Sequence, residues 1–297
     1  MGLASNFRNL LTVISPKLHA YVVYFVKYKK PLHLKNPQSF SEKVIKLKLE
    51  DYNNNPLVKQ CADKYAVREY VEQAGCGELL NELIGVIDHP DELDWEGLPQ
   101  QFVLKLNVGC GCNYICTDKS KEDKSYVLER LESWMNVKPW LGYSEMQYKT
   151  EKKILIEKFL SDSNGNPPVD YKVYCFNGQP EAILYIDGRF SDEMHAGFFD
   201  TSWQYLGIKQ NFKKPYKEFD KGILPQKPQS LDQMIAAAQA LSAGFPFVRA
   251  DFFEVNGNPV FGELTFTPSG GFEPSEVDIN GKSMAELLDV SYLNDRC

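Results

Sequence analysis

Acidic and basic side chains alternate with apolar ones on two neighbouring segments near the carboxyl end of the chain. These segments are Val248-Arg249-Ala250-Asp251-Phe252 and Phe261-Gly262-Glu263-Leu264-Thr265. In a β-strand, alternate residues share a face, so Arg249 and Asp251 would point the same way. Glu263 and Thr265 would likewise share a face of the partner strand. The pattern predicts a hairpin with charged side chains on one side.

The length of the connection decides whether the two carboxylates meet. If residues 256–258 form a three-residue loop, Asp251 lies directly opposite Glu263, whereas a two-residue turn sets Asp251 against Gly262. Two opposed carboxylates repel each other unless a cation lies between them. Mg²⁺ fits this role, because it prefers one or two carboxylates together with phosphate oxygens and water. The magnesium hypothesis therefore requires the odd-length loop.

Arg249 lies on the same predicted face as Asp251 and could reach a phosphoryl oxygen with its planar guanidinium. The same residues also suit an ordinary hairpin, in which Arg249 forms a surface salt bridge with one of the acids. Both interpretations are open from these two segments alone.

Lys105 lies within an apolar strand predicted over residues 101–106. An unpaired lysine is costly there, so an anion should accompany it, and a nucleotide phosphate would serve. Gly109-Cys110-Gly111 follows and permits close backbone approach to phosphate oxygens, although a plain turn is the simpler interpretation. The sequence has neither a Walker lysine-serine motif nor a dinucleotide fingerprint, which excludes the two commonest nucleotide-binding classes.

Two further strand segments carry charged residues. Glu157 interrupts an apolar strand predicted over residues 154–160, where its carboxylate and the strand-end backbone could read an adenine edge. An edge strand with an exposed glutamate is the alternative. Asp170 and Lys172 share a face just before the Asn177-Gly178 turn signal, so they could meet a ribose hydroxyl and a phosphate.

The elements around these residues mix helices with antiparallel strands. We expect helices in the first 50 residues, broken at Pro16, Pro31 and Pro37, with a helix start at residues 39–42. Further predicted helices cover residues 58–72, 124–134 and 231–241, and residues 207–229 form an irregular excursion. The fold class is therefore α+β.

Composition favours a single compact enzyme of two or three joined subdomains. The chain has 297 residues, of which 43% are hydrophobic and 25% charged, close to the averages of globular proteins. The net charge of -7 argues against a general affinity for nucleic acid. The seven cysteines are spaced as expected of reduced thiols, and Cys110, Cys112 and Cys116 lack the fourth ligand that a zinc site needs.

We expect no transmembrane segment and no secretion signal, which predicts a cytoplasmic protein. The apolar run at residues 20–26 is far shorter than the roughly 20 residues that cross a bilayer. Residues 21–28 mix aromatic residues with Lys27, so this segment could lie on a membrane surface or dock on a partner. A helix packed into the core with a solvated basic end is the simpler interpretation.

The order of these segments resembles the ATP-grasp superfamily, and more narrowly its TupA-like branch. That branch is associated with teichuronopeptide and other cell-surface polysaccharide synthesis. The resemblance runs from about residue 31 to residue 271. It rests on Asn36-Pro37-Gln38-Ser39-Phe40-Ser41-Glu42-Lys43, Ala62-Asp63-Lys64-Tyr65-Ala66-Val67-Arg68, Phe102-Val103-Leu104-Lys105 and Phe261-Gly262-Glu263-Leu264-Thr265-Phe266-Thr267-Pro268.

The resemblance implies ATP clamped between two α+β subdomains. The expected divisions are a helical region at 1–57, a reduced N-terminal subdomain or linker at 58–100, a first ATP-grasp subdomain at 101–152 and a second at 153–297. Lys64 and Lys105 would hold the phosphates, with the loop from Gly109 to Gly111 closing over them.

The resemblance also assigns the remaining site residues. For the nucleotide, adenine would meet Glu157 and Phe159, and the ribose and phosphate would meet Asp170 and Lys172. Arg249 would stabilise the transferring phosphoryl group, and Mg²⁺ would bind Asp251, Glu263 and Thr265. Many superfamily members have asparagine where this chain has Thr265, whose hydroxyl can coordinate or position a water. Ser269, Gly270 and Gly271 would receive a substrate carboxylate.

The implied activity is an ATP- and Mg²⁺-dependent carboxylate–amine ligase that works through an acyl phosphate. The expected partners are a small-molecule amine and a carboxylate sugar or polysaccharide, such as a uronic acid of a capsule, with peripheral association to polysaccharide-assembly machinery. A sugar or polysaccharide kinase on the same scaffold is the first alternative. A glycosyltransferase, which commonly needs an Asp-x-Asp motif that this sequence lacks, and a non-catalytic binding module are the others.

Overall fold

The computed structural model describes residues 3–161, 165, 168–188, 194–210, 219 and 223–296. Its helices are α1 (Leu3–Ile14), α2 (Pro16–Tyr28), α3 (Phe40–Leu47), α4 (Pro56–Ala62), α5 (Val67–Gln73), α6 (Lys124–Met135), α7 (Pro139–Gly142), α8 (Leu231–Ser242) and α9 (Met284–Leu287). No helix among these described residues is long and apolar enough to cross a membrane. The predicted irregular excursion over 207–229 lies partly outside the described residues.

The described strands are β1 (Leu83–Ile87), β2 (Phe102–Leu106), β3 (Asn113–Cys116), β4 (Ile154–Lys158), β5 (Asp170–Phe176), β6 (Gln179–Asp187), β7 (His195–Asp200), β8 (Tyr205–Gly207), β9 (Lys209–Gln210), β10 (Phe247–Val255), β11 (Asn258–Thr265), β12 (Ser275–Glu276), β13 (Asp278–Ile279) and β14 (Lys282–Ser283). Helices and antiparallel strands are mixed along the chain, which confirms the predicted α+β class.

Local side-chain hydrogen bonds set the helix boundaries near the site. Ser39 caps α3 in a reciprocal capping box with Glu42, as its position in the sequence predicts. The single helix expected over residues 58–72 is wrong, because the chain leaves the helix at Asp63 and starts again at α5. The Asp63 carboxylate accepts the N–H groups of Tyr65 and Ala66 at 2.8 and 3.1 Å, so its side chain stabilises the turn between the two helices.

The smaller sheet has the strand order β1-β4-β2-β3 in the described part of the chain. One of its faces packs on α6 through Val127, Leu131 and Trp134. Strand β4 lies between β1 and β2, so the interpretation of this segment as an edge strand with an exposed Glu157 is wrong. Although β4 falls in the division predicted at 153–297, it belongs to the sheet that holds β2 and the glycine loop.

The larger sheet has the strand order β11-β10-β5-β6-β7-β8 among the described residues. Its two sharp hairpins turn at Asn177-Gly178 and Asn256-Gly257, where all four residues have positive φ. Helix α8 covers one face with Leu231, Met234 and Leu241, which belong to the main hydrophobic core. This sheet carries the charged residues that the sequence analysis singled out on β5, β10 and β11.

The amino-terminal helices pack against the segment that follows β11. Ala20 and Val23 of α2 join Ile45 of α3 and Phe272 in a separate small core. Lys48, which is completely buried, donates hydrogen bonds from Nζ to the carbonyl oxygens of Tyr143 and Gly270 at 2.7 and 2.6 Å. The helical region is therefore attached to the loop at residues 269–271.

Candidate functional site

Asp251 of β10 lies directly opposite Glu263 of β11. The sequence analysis predicted this pairing, and the strand register confirms it. On the other side of Asp251, the directly opposite residue of β5 is Lys172. Lys172, Asp251 and Glu263 therefore form one row across three adjacent strands, and the two carboxylates converge on one face of the sheet.

The predicted three-residue loop is wrong, although the pairing that it was meant to produce is present. Val255 pairs with Asn258, so only Asn256 and Gly257 form the turn. A β-bulge then shifts the register between Phe252, which pairs with Phe261, and Asp251, which pairs with Glu263. The extra residue on β11 is Gly262, which lies between the two.

Gly262 has no room for a side chain. A Cβ atom there would lie 3.0 Å from the backbone oxygen of Asp251 and 3.2 Å from the ring of Phe253. Glycine therefore permits the close backbone approach that the bulge requires. The bulge places Glu263 on the same face as Asp251, which a two-residue turn without a bulge would not do.

Arg249 and Thr265 form a second row next to the first, because they pair directly across β10 and β11. The Arg249 guanidinium donates to both carboxylate oxygens of Asp251, at 2.6 and 2.8 Å, and to Thr265 Oγ1 at 3.2 Å. Thr265 Oγ1 in turn donates to Glu263 Oε1 at 3.1 Å. The hydroxyl of Thr265 thus links the arginine to the second acid.

Positively charged side chains contact both acids. Lys172 Nζ lies 2.6 Å from Asp251 Oδ2, and Lys64 Nζ lies 3.4 Å from Glu263 Oε2. Burial would raise the pKa of Glu263, but the charges of Lys64, Lys172 and Arg249 lower it to about 2. Glu263 therefore stays charged at neutral pH, with cations around it.

Lys64 connects the acidic row to the glycine loop. Its Nζ donates to the carbonyl oxygen of Gly109 at 2.7 Å, in addition to its contact with Glu263. Its backbone N–H donates to the carbonyl oxygen of Asn107 at 2.8 Å. One lysine between α4 and α5 thus contacts the end of β2, the loop after it and the acid on β11.

Asp63 and Asn107 fix that lysine in place. The amide of Asn107 donates to Asp63 Oδ2 at 2.6 Å and to the carbonyl oxygen of Glu151 at 3.0 Å, and its Oδ1 accepts the N–H of Lys153 at 2.9 Å. Asn107 is only 1% exposed, so these bonds are buried. In the sequence, Asp63 lies in a recognised segment but has no assigned role, and Asn107 was missed, since a buried amide at a strand end leaves no spacing signal.

Lys105 and Glu157 form an ion pair with a distance of 2.6 Å between Nζ and Oε2. They are diagonal neighbours, because Lys105 pairs with Leu155 and Glu157 pairs with Val103. The expected anion beside Lys105 is thus present as a carboxylate of the next strand, and the predicted contact with a nucleotide phosphate stays a prediction. Lys105, which was predicted to hold phosphate, and Glu157, which was predicted to bind adenine, are therefore in contact on the smaller sheet.

The loop between β2 and β3 adopts the conformations that its glycines permit. Gly109 and Gly111 have φ values of +77° and +83°. A Cβ atom on Gly109 would lie 2.6 Å from the Pro139 side chain, whereas a Cβ atom on Gly111 would meet no atom within 4 Å beyond its chain neighbours. Gly109 is therefore packed and Gly111 is open, which leaves the outer half of the loop free to approach a ligand.

The remaining predicted nucleotide residues lie on β5 and after β4. Asp170 Oδ1 lies 3.6 Å from Lys172 Nζ, so both aspartates 170 and 251 face the same buried lysine. Phe159 follows the last residue of β4 and is half-buried. Thus Lys172 belongs to the acidic row, while Phe159 belongs to the smaller sheet.

The predicted substrate loop has three consecutive residues with positive φ, namely Ser269, Gly270 and Gly271. Ser269 is exposed, whereas both glycines are buried. A Cβ atom on Gly270 would lie 2.5 Å from Cβ of Tyr143. The backbone of the loop is therefore packed closely against Tyr143, and the serine side chain faces outward.

The two opposed acids fit a Mg²⁺ site in which phosphate oxygens and water supply the other ligands. In the described part of the chain, no three acidic, histidine or cysteine side chains converge into a metal cage. Ligands to Mg²⁺ would therefore have to include phosphate oxygens and water besides the acids. Glu263, with a side chain 36% exposed, suits such a role more directly than Asp251, whose two oxygens already accept hydrogen bonds from Arg249 and Lys172.

Tyr148 lies where the two sheets approach the site, since it packs against both of their hydrophobic cores. Burial raises its pKa, as do the nearby charges of Glu145 and Glu263. The sequence analysis missed this residue, because it lies in an irregular segment without periodicity. Two surface depressions beside Gly244 and Tyr292 contain none of the predicted site residues.

Comparisons with known proteins identify relatives of this chain. A family model described as TupA-like ATPgrasp matches residues 42–285. No curated protein matches the chain. Among solved structures, the ATP-grasp ligase PsnB complexed with its minimal precursor is similar with 14% identity and a TM-score of 0.40, over 75% of this chain and 59% of that one.

Two further solved structures are similar at the same level. D-alanine–D-alanine ligase from Bacillus anthracis complexed with ATP has 17% identity and a TM-score of 0.37, over 70% of this chain and 55% of that one. The ADP complex of purK, an N5-carboxyaminoimidazole ribonucleotide synthetase, has 12% identity and a TM-score of 0.40, over 70% and 45%. The chain spans less than two thirds of the length of each of these proteins.

Proposed function

This chain belongs to the TupA-like ATP-grasp family, and we propose that it is an ATP- and Mg²⁺-dependent carboxylate–amine ligase. As its substrates we propose the carboxylate of a uronic-acid sugar, in a cell-surface or capsular polysaccharide or its precursor, and an amino acid or another amine. The observation that supports this activity best is the pair of opposed, charged carboxylates of Asp251 and Glu263 with cations on three sides.

The phosphate end of the nucleotide has several cationic partners in this proposal. Lys64 lies between the glycine loop and Glu263, so a phosphate placed there can replace the Gly109 carbonyl as the partner of its Nζ. Lys105 can offer one N–H to a phosphate oxygen while Glu157 keeps another, because an ammonium group has three donors. Asp170 and Phe159 complete the nucleotide site near the ribose and the base.

Asp251 and Glu263 would hold Mg²⁺, with Thr265 orienting Glu263. When bound, Mg²⁺ would offset negative charge on the phosphate oxygens and keep them aligned for transfer. For Asp251 to become a ligand, one of its oxygens must exchange a hydrogen bond from Arg249 or Lys172 for the metal. If the hydrogen bond given up is one from Arg249, its N–H donor would become available to a phosphoryl oxygen.

Arg249 is the residue that we assign to the transferring group. Its guanidinium is already fixed by Asp251, by Thr265 and by the ring of Tyr174, which lies 6.0 Å from Cζ. A preorganised cation stabilises the charge that spreads over the phosphoryl oxygens during transfer. The substrate carboxylate attacks the γ-phosphoryl group and forms an acyl phosphate, ADP leaves, and the amine then displaces inorganic phosphate.

The backbone around the site suits exclusion of water. The outer half of the glycine loop is open at Gly111, so it can close over the phosphates. Water would otherwise hydrolyse an acyl phosphate before the amine attacks. We place the substrate carboxylate at Ser269, Gly270 and Gly271, where the backbone is left-handed and the serine is exposed.

Phosphate release tests this function. The full chain is incubated with ATP, uronic-acid sugars and a panel of amino acids, with and without Mg²⁺, and inorganic phosphate and ADP are measured. A ligase releases phosphate only when both carboxylate and amine are present, together with Mg²⁺. Formation of ADP without free phosphate, with phosphate retained on the sugar, would instead identify a kinase and overturn the ligase proposal.

A further inference from the structure

Helices α1 and α2 expose an unusual share of the apolar surface. Eight of the fifteen exposed large hydrophobic side chains in the described part of the chain lie on these two helices. They are Phe7, Leu10, Val13 and Ile14 on α1 and Leu18, Tyr21, Phe25 and Val26 on α2. We call these eight side chains the α1–α2 surface. Val13 is 71% exposed and Phe25 59% exposed, so they are not marginal cases.

The spacing of these side chains places them along one outward face of each helix. Phe7, Leu10 and Ile14 are separated by three and four residues and therefore share one face of α1. Leu18, Tyr21 and Phe25 repeat this spacing on α2. Each helix thus has an apolar face that the described part of the protein leaves uncovered.

Other sides of the two helices pack on the body of the protein. On α1, Leu11 and Thr12 are buried, and Thr12 Oγ1 donates to the carbonyl oxygen of Leu141 at 2.7 Å. On α2, Ala20 and Val23 lie in the small core with Phe272. Because one side of each helix already packs on the protein, the exposed apolar face is left to bind another partner.

Charge indicates which partner this is. The first 41 residues contain six Lys and Arg residues and no Asp or Glu, within a chain of net charge -7. Lys17, Lys29, Lys30 and Lys35 are exposed. A second copy of this chain would set the same positive charges against one another. An apolar stripe bordered by lysines instead suits the boundary between anionic headgroups and acyl chains.

We propose that the α1–α2 surface binds the surface of a membrane that contains anionic lipid. The apolar side chains enter the headgroup boundary and the lysines contact lipid phosphates. This surface is coupled to the loop at residues 269–271 through Tyr143, whose hydroxyl accepts a hydrogen bond from Arg8 at 3.1 Å and whose Cβ packs against Gly270. Binding therefore holds that loop near the lipid surface. The proposal does not depend on the reaction that the site performs.

Vesicle sedimentation tests the proposal. The full chain binds vesicles of phosphatidylglycerol and phosphatidylcholine, binds pure phosphatidylcholine weakly, and loses affinity as NaCl increases. The variant Lys17→Gln/Lys30→Gln/Lys35→Gln partitions on the order of 100-fold less into anionic vesicles, at about fivefold per lysine. The variant Phe7→Ser/Leu10→Ser/Phe25→Ser loses at least about tenfold.

Matched controls change equally exposed residues elsewhere. The variants Lys59→Gln/Lys121→Gln/Lys124→Gln and Tyr126→Ser/Ile223→Ser keep wild-type vesicle binding. All four variants should keep the wild-type melting temperature, because the changed side chains are exposed. ATP-dependent phosphate release in solution, measured alongside, reports separately on the proposed ligase activity.

Four results would overturn the membrane proposal. One is a full chain that does not bind anionic vesicles, and another is an equal loss in the control variants. The third is sedimentation velocity that shows a dimer, broken by the Phe7→Ser/Leu10→Ser/Phe25→Ser variant, without any vesicle binding. That result would make the surface an interface between two copies. Binding to polyglutamate but not to vesicles would likewise replace the membrane with an acidic protein partner.

Discussion

Lys64 and Glu263 form an ion pair, with 3.4 Å between Nζ and Oε2. Lys64 lies between α4 and α5, whereas Glu263 lies on β11. The same Nζ donates to the carbonyl oxygen of Gly109. A single ammonium group therefore joins the acid of the larger sheet to the loop of the smaller one. In the proposed function, a nucleotide phosphate between the sheets would bind this group.

Replacement of Lys64 tests that position. We expect Lys64→Met to weaken ATP binding by about tenfold or more, because a charge-assisted contact to phosphate is lost. Isothermal titration with a non-hydrolysable ATP analogue measures the effect. Lys153→Met, which removes an exposed ion pair with Asp88, serves as the control and should keep wild-type affinity. Equal affinity of Lys64→Met and wild type would remove Lys64 from the site.

The bulge at Gly262 is open to a direct test. Gly262→Ala introduces a Cβ atom 3.0 Å from the Asp251 carbonyl oxygen, so the neighbouring backbone must give by a few tenths of an ångström. We expect this shift to displace Glu263 relative to Asp251. We expect a loss of about 2 kcal/mol in the free energy of unfolding and of at least about tenfold in turnover. Chemical denaturation and phosphate release measure the two effects.

Gly85 provides a matched glycine. It lies beside the register shift of β1, and a Cβ atom there would lie 3.5 Å from the Ile156 side chain, which is ordinary contact. Gly85→Ala should therefore change stability by less than about 1 kcal/mol and leave turnover intact. If Gly262→Ala behaves in the same way as Gly85→Ala, the bulge is not what positions Glu263.

The ion pair between Lys105 and Glu157 should show strong coupling. Lys105→Met leaves the Glu157 carboxylate buried without its cation, and we expect a cost of about 2 kcal/mol in the free energy of unfolding. The double variant Lys105→Met/Glu157→Gln should recover part of that loss. On the same strand, the exposed pair of Lys158 and Glu82 offers a control, where Lys158→Met should cost less than about 1 kcal/mol. Additive effects in the Lys105 cycle would contradict a functional ion pair.

The lowered pKa of Glu263 predicts that the stability of the protein depends on pH. Its pKa is lowered from 4.5 to about 2, because the charges of Lys64, Lys172 and Arg249 outweigh the effect of burial. Ionised Glu263 therefore contributes stability above pH 4.5, and this contribution is lost as the pH falls through about 2. The melting temperature of wild type relative to Glu263→Gln should decrease over that window. A difference that is constant from pH 6 to pH 2 would contradict the charge network.

The lowered pKa of His19 predicts a second pH range, higher than that of Glu263, over which stability changes. Burial, followed by the charge of Lys48, lowers its pKa from 6.5 to about 4. The unfolded chain binds a proton at this residue below pH 6.5 while the folded chain does not, so stability falls from pH 6.5 down to about 4. His19→Phe should flatten the stability profile over this range. An unchanged slope in the variant would show that other groups cause it.

Much of the fold follows from local sequence signals. Ser39 and Glu42 define the start of α3, and Asn177-Gly178 marks a hairpin, because these residues act through neighbours along the chain. Asp63 shows the limit of this reasoning, since the helix predicted through it ends there. The aspartate stabilises the turn between the two helices with its own side chain, and periodicity alone does not reveal that competition.

The site depends on contacts between distant segments, which the sequence indicates only in part. Burial of Lys105 requires an anion, and this much was predictable, but the identity of the anion depends on the register between β2 and β4. Similarly, the convergence of Asp251 and Glu263 was predicted with the wrong cause. A two-residue turn and a bulge at Gly262 give the same pairing as a three-residue loop, and turn residues alone do not reveal a bulge.

The most direct measurement is Mg²⁺-dependent phosphate release by Asp251→Asn and Glu263→Gln, with Glu254→Gln as the control acid on the opposite face of β10. We predict that both site variants stay folded, as judged by their melting temperatures, and lose at least about 100-fold in turnover, while the control keeps wild-type turnover. Wild-type turnover in both folded site variants would contradict the assignment of these two opposed carboxylates to the catalytic site.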